Sequence, residues 1–116
     1  MVSVTMALQG AVSAAGGAQD FEATAYALHG TTASGHETRP GIVAADPRVL
    51  PLGTRVRVTG AGAYSGEYVV RDTGRGIAGR TLDIFMPDER AAKRFGRKRV
   101  TIDVISWGAG DPRGRR

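Results

Sequence analysis

The middle of the chain alternates apolar and polar positions with a period of two, which marks strands that are half buried. In Thr54 to Thr59, Val56 and Val58 share one side while Arg55 and Arg57 share the other. In Arg99 to Ser106 the apolar set is Val100, Ile102 and Val104, set against Thr101 and Asp103. Gly41 to Ala45 is an apolar run that stops at the turn signal Asp46-Pro47. Phe21 to Tyr26, Glu67 to Asp72 and Arg80 to Phe85 complete the predicted strands. Gly, Pro, Asp and Ser fill the intervening segments, as turns require. One stretch reads as a helix. Pro87 takes a first-turn position, Asp88 and Glu89 bring negative charge to the positive end of the dipole, and Lys93 and Arg94 occupy the last turn. Gly96 supplies a left-handed exit, and Ala91, Ala92 and Phe95 form the buried stripe. Short strands with a single short helix imply a mainly β fold, either a small barrel or a sandwich. The barrel is favoured because closure removes edges that so short a chain has little material to cover.

Composition narrows this further. The 116 residues suffice for one domain, and 17 Gly against one Trp, three Tyr and three Phe indicate many turns around a small core. The domain is expected over residues 20–106, with no linker or repeat inside it. Residues 1–19 are apolar and rich in small residues but lack a positive n-region. They form a leader, either a degenerate or truncated signal segment or plain disordered chain. Residues 107–116 form a basic tail expected to be mobile. The absence of Cys excludes a disulfide scaffold and thiolate chemistry without fixing a compartment. No apolar run is long enough to span a membrane. The net charge of +5, with 14 Arg among 16 cations, suits a polyanionic partner: nucleic acid, an acidic membrane surface or the anionic polymers of a bacterial wall.

Three aspartates hold marked positions. Asp46 closes the apolar run before Pro47, Asp72 ends Tyr68-Val69-Val70-Arg71 before Thr73-Gly74, and Asp83 lies inside Leu82-Asp83-Ile84-Phe85. Asp before Pro, and Asp-Thr-Gly after a strand, are also good turn chemistry. Asp83 is less easily structural, because Asp is disfavoured within strands. Period-two geometry turns it away from Leu82 and Ile84, onto the face of Phe85. A carboxylate beside an aromatic, with a second carboxylate nearby, has its pKa raised toward that of a general acid. His29 and His36 have no metal-ligand spacing and read as loop residues, so neither metal nor cofactor is expected. Gly74 to Gly79 matches G-x-G-x-x-G without the helix such a loop requires, so it carries no nucleotide signal.

Gly35 and Pro40 to Thr54, together with Arg71-Asp72-Thr73-Gly74, Ile77, Gly79 and Leu82 to Phe85, resemble the motifs of the 3D domain. This family is named for its three aspartates and is found in bacterial cell-wall proteins and at the end of membrane-bound lytic transglycosylase A. The resemblance runs from about Glu22 to Ile105 and includes Thr24-Ala25-Tyr26. It implies a six-stranded double-psi β-barrel and a lytic transglycosylase that cleaves the β-1,4 bond between N-acetylmuramic acid and N-acetylglucosamine without water. The C6 hydroxyl of muramic acid closes a 1,6-anhydro ring. By the same resemblance Asp83 is the catalytic acid and then base, and Asp72 and Asp46 line its groove. Thr24, Tyr26, Thr73, Gly74 and Gly79 fall where substrate binds. The implied partner is the peptidoglycan glycan strand, and the implied location is secreted or wall-associated. The chain departs from the family at Ala78, where Lys is usual, with Arg75 or Arg80 as replacements. Two other functions remain in view. One is a glycan-binding barrel without turnover. The other is a dimeric aspartic protease using Asp72-Thr73-Gly74, although Arg71 and Arg75 stand where that motif wants apolar residues and Ala. Nucleic acid is not the expected partner, since no aromatics interleave the basic residues.

Overall fold

A computed structural model describes residues 17–27, 35, 40–74 and 76–108. Six strands carry the fold: β1 (Ala18–Tyr26), β2 (Ile42–Ala45), β3 (Arg55–Thr59), β4 (Gly66–Asp72), β5 (Thr81–Phe85) and β6 (Lys98–Ser106). A single turn of 3₁₀ helix, Gly62–Tyr64, separates β3 from β4, and helix α1 (Glu89–Phe95) separates β5 from β6. The alternation read from sequence is what closes the sheet. Val56, Val58, Val100 and Ile102 turn inward to almost no exposure, while Arg55, Arg57 and Arg99 remain outside. Val43, Val70, Leu82 and Ile84 fill the same interior. Each such side chain contributes about 1.5–3 kcal/mol by leaving water.

The strands form a closed barrel in the order β1-β5-β2-β4-β3-β6. β1 runs parallel to β5 and β2 parallel to β4, and the remaining neighbours are antiparallel. Exchanging β1, β2 and β3 for β4, β5 and β6 leaves this ring and its parallel pairs unchanged. That internal two-fold, in which both parallel pairs join strands of opposite halves, is the double-psi arrangement. The ring closes where β1 meets β6, between the first and last strands of the chain.

The structure departs from the sequence expectations at the edges. β1 begins at Ala18, so Ala18 and Gln19, which the pattern assigned to the leader, pair with Asp103 and Ile102. They lack the apolar contrast that would have revealed a strand. At the other end, Trp107 packs against the core and the Gly108 N–H donates to Thr54 Oγ1 at 3.0 Å, so the fold reaches beyond residue 106. Pro87 stands outside α1 rather than in its first turn. Asp88 is the N-cap, its carboxylate accepting from the Arg90 N–H at 3.0 Å. Ala92 and Phe95 form the buried stripe, with Ala91 at its edge, and Gly96 leaves the helix at φ +65°. His29, His36, Arg75 and the expectations placed on residues 1–16 and 109–116 lie outside the described residues.

Candidate active site

Side-chain parity builds the site on the outer face of the barrel wall. Leu82 and Ile84 point inward from β5, which turns Asp83 and Phe85 outward. On β1, Ala23 is inward and Thr24 and Tyr26 are outward. On β2, Val43 and Ala45 are inward and Ala44 is outward. Strand register then aligns these residues. Thr24 pairs with Asp83, Asp83 with Ala44, and Ala44 with Asp72. One row, Thr24–Asp83–Ala44–Asp72, thus crosses four strands. At about 4.8 Å per strand the two aspartates lie roughly 10 Å apart along the backbone, with Ala44 between them in the row.

Asp72 reaches this row through an irregularity. Val43 pairs with Val70 but Ala44 pairs with Asp72, so Arg71 is an extra residue on β4. Strict alternation from the buried Val70 would send Asp72 into the barrel. The bulge reverses its direction and sets its carboxylate on the face of Asp83.

The electrostatics follow from this placement. Burial, reinforced by the negative charge of Asp72, raises the pKa of Asp83. The Thr24 hydroxyl donates to Asp83 Oδ1 at 2.8 Å and opposes the rise by stabilising the carboxylate. Tyr26 packs edge-on against Phe85, with ring centroids 5.6 Å apart. Burial and the charges of Asp72 and Asp83 hold its phenol well above the ordinary range, so it stays protonated at neutral pH. Its hydroxyl is enclosed beside Asp72 without a hydrogen bond of ordinary geometry. The cluster therefore contains one carboxyl pushed toward its neutral form, a second carboxylate and a neutral hydroxyl.

Asp46 is held differently. It is only 3% exposed, and both of its oxygens are engaged. Oδ1 accepts from the Arg48 backbone N–H at 2.9 Å and Arg48 Nε at 3.1 Å; Oδ2 accepts from Arg48 Nη2 at 2.9 Å and the Gly79 N–H at 2.8 Å. These donors, led by the guanidinium, hold its carboxyl well below the usual range. Asp46 thus engages the segments on either side of it. It ties the turn after β2 to the loop before β5. Gly79 is part of that tie, at φ +67°. The Thr73 N–H donates to Asp72 Oδ1 at 2.9 Å, and the Gly74 carbonyl accepts from Ile77 N–H at 3.0 Å. A Cβ on Gly74 would come within 2.8 Å of Ile77 Cγ1. Ala78, at the position of the family Lys, accepts the Thr81 hydroxyl through its carbonyl. Among the described residues no cluster of His, Cys, Asp and Glu fits a metal ion.

Sequence reasoning missed Arg48 and Ala44. Arg48 was legible, because an Asp two residues before a backbone N–H commonly accepts from it in a turn. Ala44 had no signal of its own, since its importance is the space it leaves between neighbouring strands.

Comparison with known proteins gives the family and the fold. The model of the 3D domain matches residues 41–106. YabE of Bacillus subtilis is 36% identical over 92 residues, covering 72% of this chain and 22% of YabE. The cell wall-binding protein YocH of the same species is 36% identical over 93 residues, covering 72% of this chain and 31% of YocH. The chain thus spans less than a third of the length of either relative. Among solved structures, the lytic transglycosylase MltA of E. coli, in its complex with chitohexaose, superposes with a TM-score of 0.56 at 18% identity, over 70% of this chain and 29% of MltA. An expansin of Clavibacter michiganensis superposes with a TM-score of 0.56 at 23% identity, over 80% of this chain and 52% of the expansin. At those identities the likeness is one of fold. The family assignment rests on the sequence match across β2 to β6, the span that carries all three aspartates: the chain belongs to the 3D domain family.

Proposed function

We propose that the protein acts on bacterial peptidoglycan as a lytic transglycosylase, with Asp83 as general acid and then base. The observation that carries this is the row Thr24–Asp83–Ala44–Asp72, in which burial and the Asp72 charge favour the protonated form of Asp83. A neutral carboxyl on an outer face can donate to a glycosidic oxygen, which leaves as a hydroxyl on N-acetylglucosamine. The C6 hydroxyl of the muramic residue then bonds to its own C1, and the Asp83 carboxylate takes its proton. No water is consumed, so no second carboxylate need activate one, and the intramolecular nucleophile arrives already positioned. Asp72 stabilises positive charge developing at C1. Asp46 acts as a positioning residue, fixing the loop that leads into β5. Relatives tied by name to the cell wall and the fold shared with a lytic transglycosylase support a wall substrate, and with it a secreted or wall-associated setting. No helix among the described residues is long and apolar enough to cross a membrane.

The name of YocH favours a second function, wall binding without turnover. A protease dimer has less support, since Asp72 finds its companion carboxylate within its own barrel. The test is mass spectrometry of purified peptidoglycan digested with the protein and with Asp83→Asn. Release of 1,6-anhydro-muropeptides by the first alone establishes both reaction and acid. Reducing-end products would assign a water-using muramidase with Asp72 as the second carboxylate. Sedimentation with the wall and no release by either protein would leave the binding barrel.

A further inference from the structure

The outer face that carries Thr24 and Tyr26 continues toward the start of β1 as Glu22 and Asp20, because every second residue of the strand shares that face. Glu22 pairs with Thr81 as Thr24 pairs with Asp83, so Glu22 lies one two-residue step, about 6.5 Å, along the same strand pair from the proposed acid. There the surface dips into a recess of about 290 Å³, lined by Asp20, Phe21, Glu22, Arg80 and Arg99. Its volume is close to the lower limit, about 300 Å³, of small-ligand sites. Four of its five lining residues are charged, two of each sign. Glu22 is paired with Arg97 at 2.7 Å, but among the described residues Asp20, Arg80 and Arg99 have no ionic partner. Beyond Phe21 and Arg80, which border both, a second recess of about 340 Å³ is largely apolar, walled by Val49, Leu50 and Trp107.

This distribution selects among ligands. An anionic polymer is repelled by Asp20 and Glu22, a polycation by Arg80 and Arg99, and a neutral glycan answers neither sign. A short peptide with an ammonium, carboxylates and small apolar side chains answers both signs and the apolar wall. We propose that the recess along β1 and β5 binds the peptide stem borne by the muramic residue of a glycan strand, so that stem-bearing strands are preferred over bare ones. This rests on the peptidoglycan substrate proposed for Asp83 and adds a determinant of specificity to it.

The test is calorimetric titration of the full chain with two soluble fragments, the disaccharide carrying a tetrapeptide stem and the bare disaccharide. Neither contains the bond to be cleaved. The stem-bearing fragment is expected to bind at least ten-fold tighter. Asp20→Asn combined with Arg99→Gln should bring it to the affinity of the bare fragment, whose own binding stays unchanged. Equal binding of both fragments, or a preference that survives the double substitution, would overturn the proposal. Digestion of whole peptidoglycan separates the two ideas. A stem preference without 1,6-anhydro products removes the reaction and keeps the recess, whereas 1,6-anhydro products without a stem preference do the reverse.

Discussion

At the level of single residues, the proposed chemistry depends on opposing influences on Asp83, and each can be removed separately. Burial and Asp72 favour its protonated form, while Thr24 favours the carboxylate. Activity as a general acid declines as pH rises through the Asp83 pKa. Asp72→Asn removes a repulsive charge and lowers that pKa, so the falling limb of the pH–rate profile moves to lower pH. Thr24→Val removes a stabilising donor and moves the limb to higher pH. Measured on 1,6-anhydro product release, shifts of opposite sign identify Asp83 as the titrating acid; shifts of the same sign, or none, would assign the limb elsewhere. Asp83→Asn should cost about 10²–10⁴-fold in rate. Asp46 answers a different measurement. Its pKa is depressed in the fold, so its stabilising contribution is complete above the ordinary carboxylate value near 4 and is lost as pH falls through that value toward its own. Asp46→Ala should cost about 1–2 kcal/mol at pH 7, toward the low end because Arg48 is largely exposed and screened, and the difference from wild type should shrink in acid. Denaturant melts at pH 7 and pH 3 would show it. The sequence exposed Asp83 through the parity of Leu82 and Ile84. It did not expose the Thr24 contact, which joins residues 59 positions apart, or the burial of Asp46 beneath Arg48.

At the level of elements, β3, β5 and β6 were legible because each has one face in the core and one in solvent, so apolar and polar residues alternate. β2 was legible as an unbroken apolar run, and its outer face proves to be buried as well. Predicted and observed strand ends differ mostly by a single residue, as frayed ends do. The direction of Asp72 was not legible, since a bulge is one unpaired residue whose position depends on the partner strand. That dependence predicts the effect of changing the length of β4. Deleting Arg71 removes the extra residue, so Asp72 follows Val70 directly and faces Ala44 on the outer side by simple alternation; the fold and the direction of Asp72 should survive. Inserting one Ala between Arg71 and Asp72 instead gives Asp72 inward parity past the bulge, and burying its charge without a partner costs several kcal/mol. The insertion variant should lose product formation and cooperative unfolding together, as followed by circular dichroism. Arg71→Ala keeps the residue count and with it the bulge, so it should retain the fold and most of the activity. An insertion variant that stays folded and active would show that the parity of β4 does not aim Asp72. In α1 the prediction is simpler: Asp88→Ala removes the cap on the Arg90 N–H and should cost about 1 kcal/mol.

At the level of the whole molecule, a closed ring makes the two ends of the domain interdependent. β1 and β6 complete the barrel against each other, so the wall that holds Thr24 and Asp83 in register depends on residues almost at the end of the described chain. Hydrophobic patterning ends at Ser106, and the Gly/Pro/Arg composition beyond it gave no reason to expect structure there. Gly108 is nevertheless part of the fold. Its N–H supplies the Thr54 hydroxyl, which is fully buried at the turn into β3. It approaches that turn so closely that an added Cβ would stand 2.1 Å from the Leu52 carbonyl oxygen and 2.7 Å from Thr54 N. Both contacts are backbone, so neither can be relieved by a change of side-chain rotamer. Gly108→Ala must therefore lift the segment away and leave Thr54 without this donor, at a cost of about 1–3 kcal/mol. For a domain of this size each 1 kcal/mol lowers the melting temperature by about 4–8 °C. A chain ending at Ser106 should melt at a similarly reduced temperature, because it loses the same hydrogen bond and the Trp107 packing. Well below its melting temperature Gly108→Ala should form product at the wild-type rate, since Gly108 lies outside the row from Thr24 to Asp72. Calorimetry of the three proteins beside their product yields separates the outcomes. A lower melting temperature with unchanged yield means that this end pins the barrel. An unchanged melting temperature would mean that β6 alone closes it.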